Sequence, residues 1–311
     1  MKAKEKSDFG KLEEEYNTVR RNAGLMDLSH RGRIAVTGKD RKSFLHRLLS
    51  IDVNNLKPGE CITGCFLTGS AKIQCLLDII DGGETIWLDT HESRAAHVAA
   101  LLEKFHFNEQ VAFENVSGKY AELALEGPAI AKFIKPFRDC AVLSYQKSIS
   151  GEPGERFWVP AEKARRLKES GVPVIGEKAL NALRIEAGEP LFGVDIDESM
   201  LQPETGRDEW ASVTKGCYAG QEIIQRVRNF AHPVRLLIKL EVAAKEEDFH
   251  GAKILSEDRE IGTVTSSAYS PGNGNTVALG RVIFEQAGDG KRVQVQISEK
   301  QYSAVIKRIQ V

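Results

Sequence analysis

The chain has 311 residues, 41% of them hydrophobic, and a formal net charge of −1. That composition suffices for two or three ordinary cores, and the balanced charge supplies no general field that would attract nucleic acid. No apolar run approaches the roughly 18 residues of a membrane span, and the charged start, Met1 to Glu15, lacks the apolar stretch of a secretory signal.

Met1 to Glu15 reads instead as a polar helix. Ile34 to Gly38 reads as a short strand ending in a turn, after which Asp40 can cap a helix with apolar positions Phe44, Leu45, Leu48 and Leu49. Lys57-Pro58-Gly59-Glu60 is a turn. Cys61 to Leu67, Ile73 to Ile80 and Thr85 to Asp89 read as three strands, followed by helical spacing from Ser93 to Phe105. This order predicts an α+β layer on a mainly antiparallel sheet. A second segment of similar order starts near Tyr120. It has a strand from Ala121 to Leu125, a helix opening at Ala129 to Ile134, and a strand from Arg156 to Val159. Helices over Ala161 to Ser170 and Ala179 to Gly188 follow.

Beyond His232-Pro233 the pattern changes to short apolar runs between turns: Leu236 to Val242, Ala252 to Leu255, Glu260 to Ser266, Thr276 to Val282 and Arg292 to Ile297. Several short strands with Gly-rich turns and no long helix predict a small β-barrel. The expected division is 1–118 for the first α+β module, 119–231 for the second, with segments exchanged between them, and 232–311 for the barrel.

Five cysteines, an odd number, fit reduced thiols in a cytoplasm. Cys61, Cys65 and Cys75 do not have the Cys-x2-Cys spacing of zinc sites, and no histidine cluster completes a set, so no metal is expected. The most chemically loaded stretch is Lys215-Gly216-Cys217-Tyr218-Ala219-Gly220-Gln221-Glu222. It sets a thiol beside a cation and ahead of a helix predicted over Gln221 to Arg228, both of which favour thiolate. Gly216 and Gly220 allow positive φ or a close approach of backbone and ligand. The alternative for Cys217 is a small apolar residue packed in a loop-to-helix turn.

The octapeptide resembles the signature of the YgfZ-type folate-binding proteins, relatives of the glycine-cleavage aminomethyltransferase, or T-protein. Arg21 to Ser29, Ile34 to Asp40, Leu183-Arg184-Ile185-Glu186-Ala187-Gly188, Leu191 to Asp195, Ile261 to Ser267 and Ala278-Leu279-Gly280 extend the resemblance over nearly the whole chain. It implies paired α+β modules plus a C-terminal β-barrel, with tetrahydrofolate or a one-carbon derivative in a central channel. Glu186 falls on the family's pterin-recognising glutamate; one carboxylate can accept a pair of N–H donors from a pterin. The resemblance adds Tyr218, Gln221, Arg226 and Arg228 as folate contacts, with the two arginines toward the folate glutamate tail. It makes Cys217 a redox-active or cluster-contacting thiolate tuned by Lys215.

It also implies a role in assembly or repair of iron–sulfur proteins, including tRNA-modifying radical enzymes, by a monomer that uses neither nucleic acid nor membrane. The alternatives are a folate-dependent aminomethyltransferase or demethylase, and a folate-fold protein without its ligand. Aminomethyltransferases carry an Asp-Asp pair where this chain has Cys75-Leu76, and the nearest carboxylate is Asp78. Two residues along a strand are about 6–7 Å, too far for the same hydrogen bond, which speaks against the glycine-cleavage reaction.

Overall fold

A computed structural model describes residues 8–245 and 248–309; the first part of the expected polar helix, residues 1–7, lies outside them. Helix α1 (Asp8–Arg21) and strand β1 (Gly24–Asp27) lead into β2 (Gly32–Thr37) and α2 (Arg41–Leu48). Next come β3 (Cys61–Leu67), β4 (Ile73–Asp81), β5 (Ile86–Thr90), α3 (Ala95–Phe105) and β6 (Ala112–Asn115). These strands form a five-stranded sheet in the order β3-β4-β5-β2-β6, with each neighbouring pair antiparallel. Strand alternation sends Cys75, Leu77 and Ile79 of β4 to one face, where they pack against Phe44 and Leu45 of α2 and Val98 and Leu102 of α3. Leu76, Asp78 and Ile80 therefore point to the other face.

A second sheet has the order β1-β7-β9-β8. Its strands are β1, β7 (Tyr120–Glu126), β8 (Leu143–Gln146) and β9 (Gly154–Pro160), covered by α4 (Lys135–Cys140) and α5 (Ala161–Lys168). Leu123, Leu125, Phe157 and Val159 pack on Phe137, Ala164 and Leu167 of those helices. The bare faces of the two sheets meet across Ala35, Ile80, Leu143, Tyr145 and Trp158, with Trp87 and Trp158 edge to face at 5.4 Å. The result is a helix, sheet, sheet, helix sandwich in which β1, from ahead of the first sheet, completes the second.

The expected helix at Ala129 to Ile134 is only a single 3-10 turn, Ile130–Lys132. The helix proper starts at Lys135, with Pro136 in its first turn, where a missing N–H costs nothing. The four-residue strands β1 and β8 are too short to show periodicity in the sequence.

Helix α6 (Glu177–Ala187) joins the sandwich to the C-terminal domain, and α7 (Gln221–Phe230) precedes it. The remaining strands are β10 (Arg235–Val242), β11 (Lys253–Ser256), β12 (Arg259–Ser270), β13 (Asn275–Ile283), β14 (Arg292–Ile297) and β15 (Lys300–Lys307). They close into a six-stranded barrel, β10-β13-β12-β11-β14-β15, around Ile238, Leu240, Ile254, Val264, Val295 and Ile306. Strand β15, absent from the sequence reading, pairs with both β14 and β10 and so removes the open edge. Between sandwich and barrel, Ala179, Ala182 and Leu183 of α6 share a core with Leu12, Tyr16 and Val19 of α1 and with Ala268, Val277 and Leu279 of the barrel.

Candidate functional site

The register of the first sheet brings Thr63, Asp78, Asp89 and Arg33 into one row across four strands, with Asp78 directly opposite Asp89. Two like charges so placed repel one another. The second sheet supplies the compensation. Buried Arg156 of β9 brings its Nη1 to 3.4 Å from Asp78, 3.3 Å from Asp89 and 3.2 Å from Glu122 of β7. Arg31 Nε binds Asp89 at 2.7 Å, and Lys147 Nζ binds Asp78 at 2.5 Å and the Thr63 hydroxyl at 2.7 Å. Lys147 is held in place by its own loop: buried Glu126 accepts the N–H groups of Ile149 and Ser150 and both serine hydroxyls, Ser148 and Ser150. The surrounding cations, Lys147 first, hold the Asp78 carboxyl well below the usual carboxylate range despite burial. Burial, with Glu122 and Asp78 adding to it, pushes Asp89 up to about 7.

Thr63 and Asp78 of this row, with Arg31 and Arg156, line an inner chamber of about 90 Å³ whose walls also include Leu76, His91, Lys147, Arg184, Phe192 and Trp210. A wider cavity of about 880 Å³ shares Arg31, Ile149, Arg184 and Leu191 with it, so the two are successive parts of one channel. The outer part runs along Lys178, Asn181 and Arg184 of α6 and reaches Thr265, Ser266 and Ser267 of the barrel. Asp195 sets that junction: it accepts from Arg184 Nη1 at 2.8 Å and from the Thr265 and Ser266 hydroxyls at 2.5 and 2.6 Å. The outer volume suits a drug-sized organic ligand.

The sequence-predicted residues do not converge on this channel. Glu186 was expected to hold a pterin. It is two residues beyond Arg184 on α6, which turns it about 200° away from the channel face. Its Oε2 accepts from Tyr16 Oη at 2.8 Å and pairs with Arg20 of α1, while Oε1 is buried without a hydrogen bond. Replacement by glutamine should therefore cost about 1–3 kcal/mol of stability by weakening this contact. A lowered urea midpoint, with unchanged affinity for any ligand of the channel, is the expected result.

Lys215 was expected to tune the Cys217 thiol. Its ammonium is instead buried on the carbonyl oxygens of His46, Leu49 and Ile51, at 2.6 Å from Leu49, where α2 ends. Burial lowers its pKa to about 8, while the carbonyls of a helix C-terminus favour the charged form. Tyr218 lies under the same ammonium, 5.0 Å from its ring centre, and donates to Ser212 O at 2.7 Å. Gln221 Nε2 donates back to Lys215 O at 3.2 Å. Gly220 has φ of +82°, and a Cβ there would meet Ala71 and Thr68 backbone atoms at 2.7–2.8 Å. The Lys215, Tyr218 and Gln221 side chains thus fasten the loop, and of the five cysteines Cys217 is the exposed one. The predicted helix is α7, extended to Phe230. On it Arg226 makes an exposed pair with Glu222, and Arg228 caps the carbonyls of Asp208 and Ala211.

The sequence reading missed Arg31, Lys147, Arg156 and Arg184. A signal existed: Asp78, Asp89, Glu122 and Arg156 are ionisable residues inside otherwise apolar strand runs, and such residues are rarely buried without partners.

Residues 3–148 match the GCVT N-terminal domain, and residues 235–308 match the glycine cleavage T-protein C-terminal barrel domain. In both these parts the chain is similar to the glycine-cleavage T-protein. An aminomethyltransferase of Staphylococcus epidermidis (strain ATCC 35984) is 28% identical, over 97% of this chain and 91% of its own length. One of Geobacillus thermodenitrificans is 29% identical, over 96% and 89%. The crystal structure of glycine cleavage system aminomethyltransferase T from Bartonella henselae has the same fold. Its TM-score is 0.86 at 24% identity, over 96% of this chain and 88% of that one. Among the described residues no helix is long and apolar enough to cross a membrane.

Proposed function

We propose that the protein binds a reduced folate in the channel between sandwich and barrel and serves the assembly or repair of iron–sulfur proteins, tRNA-modifying radical enzymes among them, through Cys217. The observation that carries this reading is the separation of two features. The chamber wall presents Leu76 where aminomethyltransferases are expected to carry a carboxylate, and the octapeptide holds one exposed thiol on a rigid loop. A thiol presented outward suits exchange with another protein's sulfur or cluster. The channel supports folate by size and by its polar wall. Asn181, Lys178 and the barrel hydroxyls line the wide part, and an elongated pteridine with a glutamyl tail needs donors at both ends.

The competing reading is a folate-dependent aminomethyltransferase or demethylase, favoured by the names of the relatives. Two measurements decide. Calorimetry with tetrahydrofolate and its formyl and methylene forms should give saturable binding. Ile149→Trp, which narrows the passage where the two cavities meet, should weaken it tenfold or more at unchanged melting temperature. With an aminomethylated lipoyl carrier protein no methylene-tetrahydrofolate should form. Turnover comparable to an authentic T-protein would establish the competing reading, and absence of any folate binding would remove the folate from both.

A further inference from the structure

We infer that occupancy of the inner chamber is coupled to the state of Cys217 through Trp210, Ser212 and Tyr218, with Tyr218 as a positioning residue for the thiol. This coupling rests on the folate and thiol reading above and joins its two halves. Cys217 lines neither part of the channel, so a ligand within those walls does not touch it. The connection runs through a small core. Leu76, Phe192 and Trp210 line the chamber, and the same three side chains pack with Ala71, Met200, Tyr218 and Ile224. Tyr218 is the next residue after the thiol. The chamber wall and the base of the thiol loop are therefore two sides of one core.

A polar path runs beside the apolar one. Trp210 lies two residues before Ser212 and five before Lys215. Buried Ser50 holds this run: its hydroxyl donates to Trp210 O at 2.5 Å, and its carbonyl accepts from the Ser212 N–H at 2.8 Å. Ser212 in turn holds the thiol loop. Its carbonyl accepts from Tyr218 Oη at 2.7 Å, and its hydroxyl oxygen accepts from the Lys215 N–H at 3.1 Å. The Lys215 ammonium closes the circuit on the carbonyls either side of Ser50, those of Leu49 and Ile51. A displacement of Trp210 thus reaches Ser212, which carries two of the contacts that set the position of the loop.

A ligand couples two sites only if it acts differently on two arrangements of the protein. The size of the chamber supplies that difference. Its volume of about 90 Å³ is the share of about three water molecules. A pteridine ring or a glutamyl end is larger, so entry of either moves part of the wall. Three apolar members of that wall are backed by the shared core, and a close-packed core passes displacement on rather than absorbing it.

The coupling is tested as an equilibrium measured in both directions. Oxidised glutathione forms a mixed disulfide with the Cys217 thiolate and releases one glutathione thiolate; mass spectrometry reads the exchange constant at each cysteine of the whole protein. Saturating tetrahydrofolate, under nitrogen, should change the constant at Cys217 by about fivefold or more. Glutathione on Cys217 should change the Kd of tetrahydrofolate by the same factor, because linkage is reciprocal. Tyr218→Phe removes the hydroxyl that reaches Ser212. It should bring both factors below about twofold, while the unmodified variant still binds tetrahydrofolate as the wild type does. Ser212→Ala, which removes the acceptor for the Lys215 N–H, should lower both factors as well. A residue that only stabilised the loop would change the melting temperature of Tyr218→Phe and leave the factors as they were. That result, or an exchange constant untouched by tetrahydrofolate that calorimetry shows to be bound, would overturn the coupling and leave the folate reading standing. Absence of any tetrahydrofolate binding would remove both.

Discussion

Replacing Arg156 by methionine is expected to lower stability by about 3–5 kcal/mol, because it leaves three buried carboxylates facing one another with their shared cation gone. No other residue reaches Asp78, Asp89 and Glu122 at once with a single nitrogen among the described contacts. Methionine has a suitable length and an apolar body, so the loss reads the charge rather than a void. Urea unfolding gives the number, and the pH dependence identifies the cause. In the wild type the Asp89 carboxyl has a folded pKa raised to about 7, against about 3.9 in an unfolded chain. Over that window the native state binds more protons than the unfolded one, so stability falls as pH rises from about 4 to 7 and the penalty is fully present above 7. Asp89→Asn should flatten this slope. In Arg156→Met the slope should steepen, since removing the arginine disfavours the Asp89 anion further. A loss below about 1 kcal/mol, or a slope untouched by Asp89→Asn, would mean that the row is not held by Arg156.

Most of the architecture follows from short-range patterns in the sequence. The period-two runs at Ile73 to Ile80 and Arg292 to Ile297 are strands, and the shift to short apolar runs after His232-Pro233 is the barrel. What escaped was fixed by partners far along the chain. Strand β1 pairs with β7 nearly a hundred residues later, and Arg156 finds Asp78 and Asp89 only because two sheets stack. The octapeptide illustrates the same limit. Its sequence shows a lysine two residues from a cysteine, and local chemistry suggests that the one tunes the other. The lysine side chain is long enough to reach α2, where the free carbonyls of a helix end are a better partner for an ammonium than a thiol on the surface. Glu186 shows a comparable limit: motif position locates the helix, but the contacts of its carboxylate with Tyr16 and Arg20 of α1 depend on helical phase and on an element far away in the chain.

Brief alkylation with iodoacetamide at pH 7.5 should mark Cys217 first among the five thiols, by a wide margin. Cys61 and Cys75 have thiol pKa values pushed up to about 12 by burial, and Cys65, fully buried, is pushed up as well. A pKa of about 12 leaves only on the order of one thiolate in 10⁴–10⁵ at that pH, and only the thiolate reacts. Cys140 is the rival. It is half-buried at the end of α4 and packs against the core around Phe137 and Phe157, so the reagent must compete with that packing. Cys217 has no such cover and sits on a loop pinned through Lys215, Tyr218 and Gln221. Cys217→Ser should leave the melting temperature within a degree or two, since an exposed hydroxyl finds water where a buried one would lack a partner. If the thiol carries the proposed role, the same variant should fail to restore iron–sulfur enzyme activity in a strain lacking the native protein, while binding folate as the wild type does. Mass-spectrometric mapping gives the first result and complementation the second. Labelling at Cys140 ahead of Cys217, together with full complementation by the serine variant, would show that the octapeptide serves only to fasten α2 to α7, and the thiol would have no part in the function.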